Sequence, residues 1–301
     1  MSTTHTAYLA PPGLENDLRD ELSDITHTFG RLFIAKGPKQ KVFWTQNVWL
    51  DPVFVDIESI GDAAKKLRAV QRNWWPYSFQ HHRRLDLIRA KLPHLDPKPL
   101  PFLGKVPSSP LGSFTLIDEN TLLYSGACES PMPNGEWNFV EDKLGPPSRA
   151  YLKLWEFFTR FEIKPDPSDV CLDLGASPGG WTSVLSGMSK KVIAFDRSEL
   201  DPKVASLPNV EFVTKDAFKV DLRDYPEASW ILSDVVCYPE KLYERISQLI
   251  SDFPHKKYVF TIKFQGHNHL EIVRKFGELP GALVHLHNNK HELTWTNAID
   301  Q

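Results

Sequence analysis

The order of predicted elements after residue 146 indicates an α/β fold with a Rossmann-like, mostly parallel sheet that ends in an antiparallel hairpin. Apolar strands and amphipathic helices alternate there, which is typical of a parallel sheet with helices on both faces. A glycine-rich turn follows the first of these strands, and such turns bring bare backbone close to a ligand. In front of this part, a β-α-β-β-α order predicts a smaller α+β domain. The predicted divisions are an N-terminal domain over 1–110, a hairpin and connector over 111–145, and the α/β domain over 146–301.

The N-terminal elements follow from apolar periodicity and turn residues. Leu14, Leu18 and Leu22 form an i, i+4 stripe after Pro12-Gly13, which indicates a helix. A proline-rich stretch over 93–110 predicts an extended connector, and 129–147 is expected to be irregular. The predicted elements are strand Ala7–Ala10, helix Pro12–Leu22, strands Thr28–Ala35 and Lys41–Trp49, helix Ser59–Asn73, and a hairpin of Ser113–Ile117 with Thr121–Ala127.

The C-terminal elements begin with a helix over Arg149–Phe161, for which Ser148 is the predicted N-cap. The final two strands, 282–287 and 292–298, are joined by a turn over 288–290, so they must be antiparallel. Between this helix and the final strands, the expected elements are strands over 170–174, 191–195, 210–214, 229–234 and 256–264 and helices over 181–188, 239–252 and 268–277.

The glycine-rich turn reads Gly175-Ala-Ser-Pro-Gly179-Gly180 and follows the apolar run Val170–Leu174. Glycine loses extra backbone entropy on folding, so three glycines in six positions suggest that the turn needs their backbone freedom or their lack of a side chain. We expect Gly175 to permit a sharp exit from the strand, Gly179 and Gly180 to leave room for a ligand, and Pro178 to occupy the first helical position. The spacing differs from the G-x-G-x-x-G of dinucleotide loops and lacks the G-K-[ST] of phosphate loops.

Three acidic residues follow successive predicted strands in this region. Asp173, at the end of the first strand, could accept a hydrogen bond from an ammonium group but would repel a pyrophosphate. Asp196 lies 21 residues after Gly175, close to the interval at which an acid meets ribose hydroxyls in doubly wound folds. Asp216 could accept from an adenine amino group. These features favour S-adenosylmethionine as the cofactor, although a strand-end acid can also simply cap the next helix.

The expected cofactor contacts comprise the turn, its flanking residues and the strand-end acids. They are Asp173, Gly175, Ser177, Pro178, Gly179, Gly180, Trp181, Asp196, Asp216 and Asp234.

Four ionisable residues are candidates for chemistry. Asp234 and Lys263 end predicted strands, Lys153 lies on the helix before the glycine turn, and Glu292 opens the last strand. Because the carboxyl ends of parallel strands line the ligand crevice, we expect Asp234 and Lys263 to face the reacting group of the cofactor.

Composition is that of a globular chain, with 41% hydrophobic residues and a formal charge of −3 over 301 residues. No apolar run reaches the 18 or more residues of a membrane span, and the first eight residues lack a signal pattern. Cys128, Cys171 and Cys237 are widely spaced, which predicts free thiols in a reducing cytosol and no metal site.

The stretch from Arg68 to Pro107 is basic and aromatic, with eight Lys/Arg and two acids. Basic side chains neutralise phosphates and aromatic rings stack on bases, so the stretch is a candidate RNA-binding region. The alternative is a solvated helix face with a hydrophobic anchor. The candidate RNA-binding residues are Arg68, Arg72, Trp74, Trp75, Arg83, Arg84, Arg89 and Lys91.

Several motifs resemble those of the FtsJ-like 2′-O-ribose RNA methyltransferases. They are Ser148-Arg-Ala-Tyr-Leu-Lys-Leu154, Asp173-Leu-Gly-Ala-Ser-Pro-Gly-Gly-Trp-Thr182, Ser233-Asp234, Thr261-Ile-Lys263 and His291-Glu292. The resemblance covers 146–301 and implies a class I methyltransferase fold, S-adenosylmethionine as methyl donor, and a Lys-Asp-Lys-Glu catalytic set of Lys153, Asp234, Lys263 and Glu292. It implies that Lys263 deprotonates or polarises the ribose 2′-hydroxyl, that Asp234 and Lys153 orient and tune Lys263, and that Glu292 helps to hold the sugar.

A narrower likeness, to the RlmM group within this family, extends into the N-terminal half. It rests on Tyr8-Leu-Ala-Pro-Pro-Gly-Leu-Glu15, Tyr124-Ser-Gly126, Ser130-Pro-Met-Pro133 and Pro147-Ser-Arg149. That group methylates a cytidine ribose in bacterial 23S ribosomal RNA and binds RNA through an N-terminal THUMP-containing region. The likeness implies ribosomal RNA as the substrate and a THUMP-like role for residues 1–110.

Other acceptors and a non-catalytic role remain open from the sequence. Transfer RNA, an RNA cap or a small molecule could accept the methyl group, and the fold could serve as a cofactor- or RNA-binding module. A base amino group is disfavoured as the acceptor, because Ser233-Asp-Val-Val236 stands where base methyltransferases carry Asn/Asp-Pro-Pro-Tyr.

Overall fold

The computed structural model describes residues 4–266 and 269–299; Met1–Thr3 of the N-terminal segment and Asn268, the first residue of a predicted helix, lie outside them. The chain forms two compact units. The first comprises the described residues up to Leu100 together with Lys105–Asn138, and the second comprises Pro101–Gly104 and the residues from Phe139 onward. The predicted hairpin after residue 110 thus belongs to the first unit.

The first unit contains two sheets, with strand orders β2-β3-β1-β4-β9 and β5-β8-β7-β6. Their strands are β1 His5–Leu9, β2 Ile25–Phe29, β3 Leu32–Lys36, β4 Asn47–Leu50, β5 Val53–Asp56, β6 Trp74–Pro76, β7 Gly112–Leu116, β8 Thr121–Ser125 and β9 Ala127–Cys128. The helices are α1 Glu15–Glu21, α2 Ile60–Val70 and α3 His82–Arg89. The hairpin of β7 with β8 agrees with the prediction, and its strands pair with β6 and β5.

Two predicted strands of this unit were wrong. The strand over Thr28–Ala35 is a hairpin of β2 and β3, which turns at Gly30 with a φ of +59°. The strand over Lys41–Trp49 begins only at Asn47. Before Asn47, the Glu21 carboxylate accepts hydrogen bonds from the backbone N–H groups of Phe43 and Trp44 at 2.8 and 3.0 Å. A side chain thus satisfies backbone donors that a neighbouring strand would otherwise satisfy.

Two helix starts illustrate the role of caps. Ser59, the first residue of the predicted helix Ser59–Asn73, is the N-cap of α2 and accepts a hydrogen bond from the Asp62 amide. In the second unit, α4 begins at Tyr151 after Ala150, with no side-chain cap, so the prediction of Ser148 as N-cap was wrong.

The second unit contains one sheet with the order β12-β11-β10-β13-β14-β16-β15. Strands β10 to β14 are parallel, and β16 pairs antiparallel with both β14 and β15, which confirms the predicted sheet and closing hairpin. The strands are β10 Val170–Leu174, β11 Lys191–Asp196, β12 Val210–Thr214, β13 Ala228–Ser233, β14 Lys257–Lys263, β15 Ala282–Val284 and β16 Glu292–Thr296. The helices are α4 Tyr151–Phe161, α5 Gly180–Ser186, α6 Pro202–Ala205, α7 Pro239–Asp252 and α8 Leu270–Glu278.

The core of the second unit lies on both faces of this sheet. All five residues of β10 are buried, as expected for a central strand covered on both sides. Among the described residues, no helix has the length and apolar character that crossing a membrane requires.

Candidate functional site

The register of the second unit brings several strand ends to one edge. Leu174 is level with Phe195 on β11 and with Ser233 on β13. Gly175, Asp196 and Asp234 each follow directly, so they meet at the same end of the sheet. On the antiparallel side, Lys263 of β14 lies opposite Glu292 of β16.

A cavity of about 560 Å³ opens at this edge. Asp173, Asp196, Asp216, Asp234 and Lys263, all of them candidate site residues, line it. The other predicted residues that line it are Gly175, Ser177, Pro178, Gly180 and Trp181. The volume lies within the range of small-molecule sites.

The glycines of the turn make room for protein rather than directly for a ligand. A β-carbon at position 179 would lie 2.9 Å from Val204, and one at position 180 would lie 2.5 Å from Ser148 Oγ. Gly179 is outside the cavity lining and has a φ of +113°, which favours glycine. The expected role of Gly179 was therefore wrong.

Pro178 also differs from its predicted position. It lies in the turn, after a cis peptide bond with Ser177, whereas α5 begins at Gly180. Trp181 is buried and its indole N–H donates to the Ala150 carbonyl at 2.9 Å, which ties α5 to the start of α4.

Asp173 is a buried carboxylate at the floor of the cavity, with 1% of its surface exposed. The Thr182 hydroxyl donates to Asp173 Oδ2 at 2.6 Å, whereas Oδ1 is buried and accepts no hydrogen bond from the described residues. Burial raises the pKa of Asp173 to about 7, although the Thr182 hydrogen bond lowers it. An ammonium group would provide the missing donor and favour the ionised form.

Asp196 and Asp216 combine capping with exposure to the cavity. Asp196 accepts the amides of Ser177 and Ser198 at 3.0 and 2.9 Å and thereby holds the glycine turn. Asp216 accepts the Phe218 amide at 3.0 Å at the start of a short 3₁₀ turn. The alternative that these acids cap turns is thus correct, and both still line the cavity.

The four ionisable candidates form a continuous chain of ion pairs. Lys153 Nζ lies 2.6 Å from Glu292 Oε2 and 2.9 Å from Asp234 Oδ1. Lys263 Nζ lies 3.2 Å from Asp234 Oδ1 and donates to the Asp234 carbonyl at 2.6 Å. All four side chains are less than one-fifth exposed. Two lysines and two carboxylates cancel in charge, which limits the desolvation cost of burying them together.

Sequence reasoning missed Glu156, which lies one turn after Lys153 on α4. Its fully buried carboxylate accepts the amides of His287 and Asn288 at 2.7 and 2.9 Å, and the Asn288 side chain at 3.0 Å. It therefore anchors the loop that leads to Glu292. Burial raises the pKa of Glu156, while Arg160 and these hydrogen bonds lower it. An acidic residue at i, i+4 spacing from Arg160, within a helix of mostly apolar residues, was the available signal.

Sequence reasoning also missed cavity residues that follow strand ends. Arg197 comes directly after Asp196, and Lys241 stacks over the Phe218 ring at 4.0 Å. The sequence feature that could have identified them is their position shortly after an acidic residue at the end of a strand. Other residues of this kind are Ala217, Phe218 and the segment Val235, Val236, Cys237 and Tyr238.

The predicted RNA-binding residues of the first unit divide into core and surface. Trp74 is buried and its indole donates to the carbonyls of Leu67 and Gln71, so the expectation that it stacks on a base was wrong. Trp75 is half-buried, with the Arg89 guanidinium 4.0 Å from its ring, and both line a cavity of about 510 Å³. The exposed candidates are Arg68, Arg72, Arg83 and Lys91, and Arg84 is half-buried.

The cysteines are free thiols, as predicted. Burial raises the pKa of Cys171 to about 12 and that of Cys237 to about 11, so both favour the thiol form. Within residues 4–266 and 269–299, histidine, cysteine and carboxylate side chains form no group of three that could hold a metal ion.

Comparison with known proteins supports the resemblance in the second unit. Ribosomal RNA large subunit methyltransferase M of Halorhodospira halophila is 33% identical over 157 residues, covering 49% of this chain and 46% of that protein. The protein of the same name from Methylococcus capsulatus is 30% identical over 133 residues, covering 43% and 37%. This chain thus covers less than half the length of these relatives.

Among solved structures, TrmN from Thermus thermophilus superposes with a TM-score of 0.35 at 13% identity, covering 97% of this chain and 98% of that one. Residues 146–286 match the model of a family described as FtsJ-like methyltransferase. This segment carries the glycine turn, Lys153, Asp234 and Lys263. The C-terminal part of the chain, residues 146–286, is therefore similar to the FtsJ-like methyltransferase family.

Proposed function

We propose that the second unit transfers a methyl group from S-adenosylmethionine to a ribose 2′-hydroxyl of RNA. The observation that carries this proposal is the ion-pair chain Glu292–Lys153–Asp234–Lys263, which ends at a cavity bounded by a glycine turn. The names of the curated relatives support ribosomal RNA of the large subunit as the substrate, and we propose a 23S-type cytidine as the modified nucleotide.

The cavity residues fit this cofactor. Asp173 Oδ1, which accepts no hydrogen bond from the described residues, can accept one from the amino group of the cofactor. Asp196 and Asp216 can accept hydrogen bonds from its ribose and its adenine. Phe218 and Val235 add apolar surface for a nucleoside. When bound, S-adenosylmethionine supplies an activated sulfonium methyl group, so the protein has to position and deprotonate the acceptor.

Lys263 is the residue placed to act on the acceptor hydroxyl. An ammonium group has three donors, and in Lys263 two of them face the Asp234 carbonyl and carboxylate. The third can hydrogen-bond to an oxygen in the cavity and stabilise developing negative charge there, while the neutral amine would accept the hydroxyl proton.

Asp234 orients Lys263, and Lys153 in turn orients Asp234. Because Lys153 is also paired with Glu292, the carboxylate that we expect to hold the sugar is fixed to the same network. Preorganisation of this kind reduces the reorganisation needed during the reaction.

The proposal extends to an RNA-binding role for the first unit. Arg72, Arg83 and Lys91 present exposed cations, and Trp75 with Arg89 presents a partly exposed aromatic and guanidinium pair. Such groups suit phosphates and bases, respectively.

The test is methyl transfer from labelled S-adenosylmethionine to 23S ribosomal RNA transcribed in vitro, followed by mapping of 2′-O-methyl positions. We expect label at one ribose. A matching comparison maps ribosomal RNA from cells with and without the gene. Transfer only to transfer RNA or to a capped RNA would overturn the ribosomal substrate, and failure to transfer to any RNA would overturn the activity.

Glu156→Gln tests the anchor beneath Glu292. An amide offers one acceptor oxygen where the carboxylate offers two, so its NH₂ group would face backbone N–H donors. We expect the free energy of unfolding to fall by about 2–3 kcal/mol and kcat to fall by roughly tenfold, with unchanged affinity for S-adenosylmethionine. Chemical denaturation and steady-state kinetics check this.

Glu278→Gln, at the exposed end of α8, is the matched control and should leave the unfolding free energy and kcat unchanged. Wild-type kcat in a destabilised Glu156→Gln variant would show that the anchor serves stability alone.

A further inference from the structure

The segment after Asp234 forms an apolar rim on the cavity. Val235, Val236, Cys237 and Tyr238 all line it. Val236 is 69% exposed and Tyr238 is 75% exposed, so an aliphatic and an aromatic side chain face solvent beside the cavity. Val236, Cys237 and Tyr238 have no part in the proposed catalytic or cofactor contacts.

The backbone of this rim is held at both ends. Asp234 is held by its ion pairs with Lys153 and Lys263. Val235 packs closely against Gly175, because a β-carbon added at Gly175 would lie only 2.8 Å from the Val235 side chain. Pro239 begins α7 directly after Tyr238. The segment that carries the exposed Tyr238 ring is therefore anchored on both sides.

The rim is close to Lys263. Cys237, Tyr238, Lys241 and Lys263 all line the cavity, and the positive charges of both lysines act on the Cys237 thiol. Lys241 and Arg197 are exposed and line the same cavity, so the rim combines an aromatic face with cations.

We propose that Tyr238 stacks on the base of the acceptor nucleotide and so places its 2′-hydroxyl near Lys263. The inference rests on the proposed function, because it assumes an RNA acceptor. Aromatic side chains bind exposed bases by stacking, with little dependence on sequence, and Lys241 and Arg197 suit the neighbouring phosphates. The exposure of Tyr238 argues against a cofactor wall, since Asp173 and Trp181 on the cavity floor are almost fully buried.

Tyr238→Ala and Tyr238→Phe test this role in the full chain. With 23S ribosomal RNA transcribed in vitro, we expect Tyr238→Ala to raise the KM for RNA by about tenfold, with the Kd for S-adenosylmethionine unchanged by calorimetry. Tyr238→Phe keeps the ring and should restore the wild-type KM. Leu144→Ala, at a residue with 86% exposure outside the cavity lining, is the matched control and should behave as wild type.

The outcomes are distinguishable. A wild-type KM in Tyr238→Ala, or a weaker Kd for S-adenosylmethionine with an unchanged KM for RNA, overturns the stacking role and leaves the proposed function intact. The absence of RNA methylation by the wild-type chain overturns the proposed function and the stacking role together.

Discussion

Replacing Lys263 with alanine should lower kcat/KM for RNA methylation by about 10²- to 10⁴-fold, the usual range for removing a general acid or base. Lys263 is the member of the ion-pair chain that lines the cavity and retains a donor for a ligand oxygen. Its loss removes that donor and one of the two lysines that pair with Asp234 in the described structure, so that Lys153 remains. Affinity for S-adenosylmethionine should change little, because the proposed cofactor contacts lie mainly at Asp173, Asp196 and Asp216.

Lys263→Arg should also remain poorly active, since a guanidinium differs from an ammonium in shape and stays protonated. Lys275→Ala, at a surface lysine paired with Glu271, is the matched control. Single-turnover methyl transfer and calorimetric titration with the cofactor check both effects. A Lys263→Ala variant that transfers methyl groups at the wild-type rate would contradict the proposed mechanism.

Replacing Asp173 with asparagine should stabilise the cofactor-free protein above pH 7 and abolish cofactor binding. The folded pKa is about 7 against 3.8 for the ordinary group. As pH rises above 3.8, the unfolded chain loses this proton first, so stability falls with pH until the folded carboxyl also ionises near pH 7. The free energy of unfolding falls by about 4 kcal/mol at most through this ionisation. Asparagine does not ionise, so the variant avoids this fall and still offers an acceptor to the Thr182 hydroxyl.

Urea denaturation from pH 4 to pH 8 measures the difference between wild type and Asp173→Asn. It should be small near pH 4 and grow to a plateau above pH 7. Asp224→Asn, at an exposed carboxyl, should show no such growth. If the difference does not depend on pH, the buried carboxyl titrates normally. If Asp173→Asn binds S-adenosylmethionine with wild-type affinity, its role toward the amino group is wrong.

The glycine turn, Asp234, Lys263 and Glu292 could be placed from the sequence because each ends, follows or opens a predicted strand, whereas Lys153 joined them through the family resemblance. The run Val170–Leu174 and the segment ending at Lys263 have the length and apolar character of buried strands, and parallel strands place their carboxyl ends together. The roles of Gly179 and Pro178 were not predictable, because they depend on contacts with Val204 and on the turn geometry.

The errors in the first unit have a similar cause. An apolar stretch such as Thr28–Ala35 is compatible with one strand or with a hairpin, and the positive φ at Gly30 decides between them. Trp74 and Trp75 are neighbouring residues of the same type, so the sequence does not distinguish them. Trp74 is buried in the core and Trp75 is half-buried, because alternate residues of a strand face opposite sides.

By itself, the sequence determined the order of the strands in the second unit, the parallel sheet with its closing hairpin, and the chemical types available at its edge. Only the tertiary structure decided which side chains meet. It paired Lys153 of α4 with Glu292 of β16 across 139 positions of the chain, tied the loop before Glu292 to Glu156, and left Tyr238 exposed at the rim. Periodicity reports which face of an element is buried, whereas contacts between distant residues depend on register and packing, which no local pattern encodes.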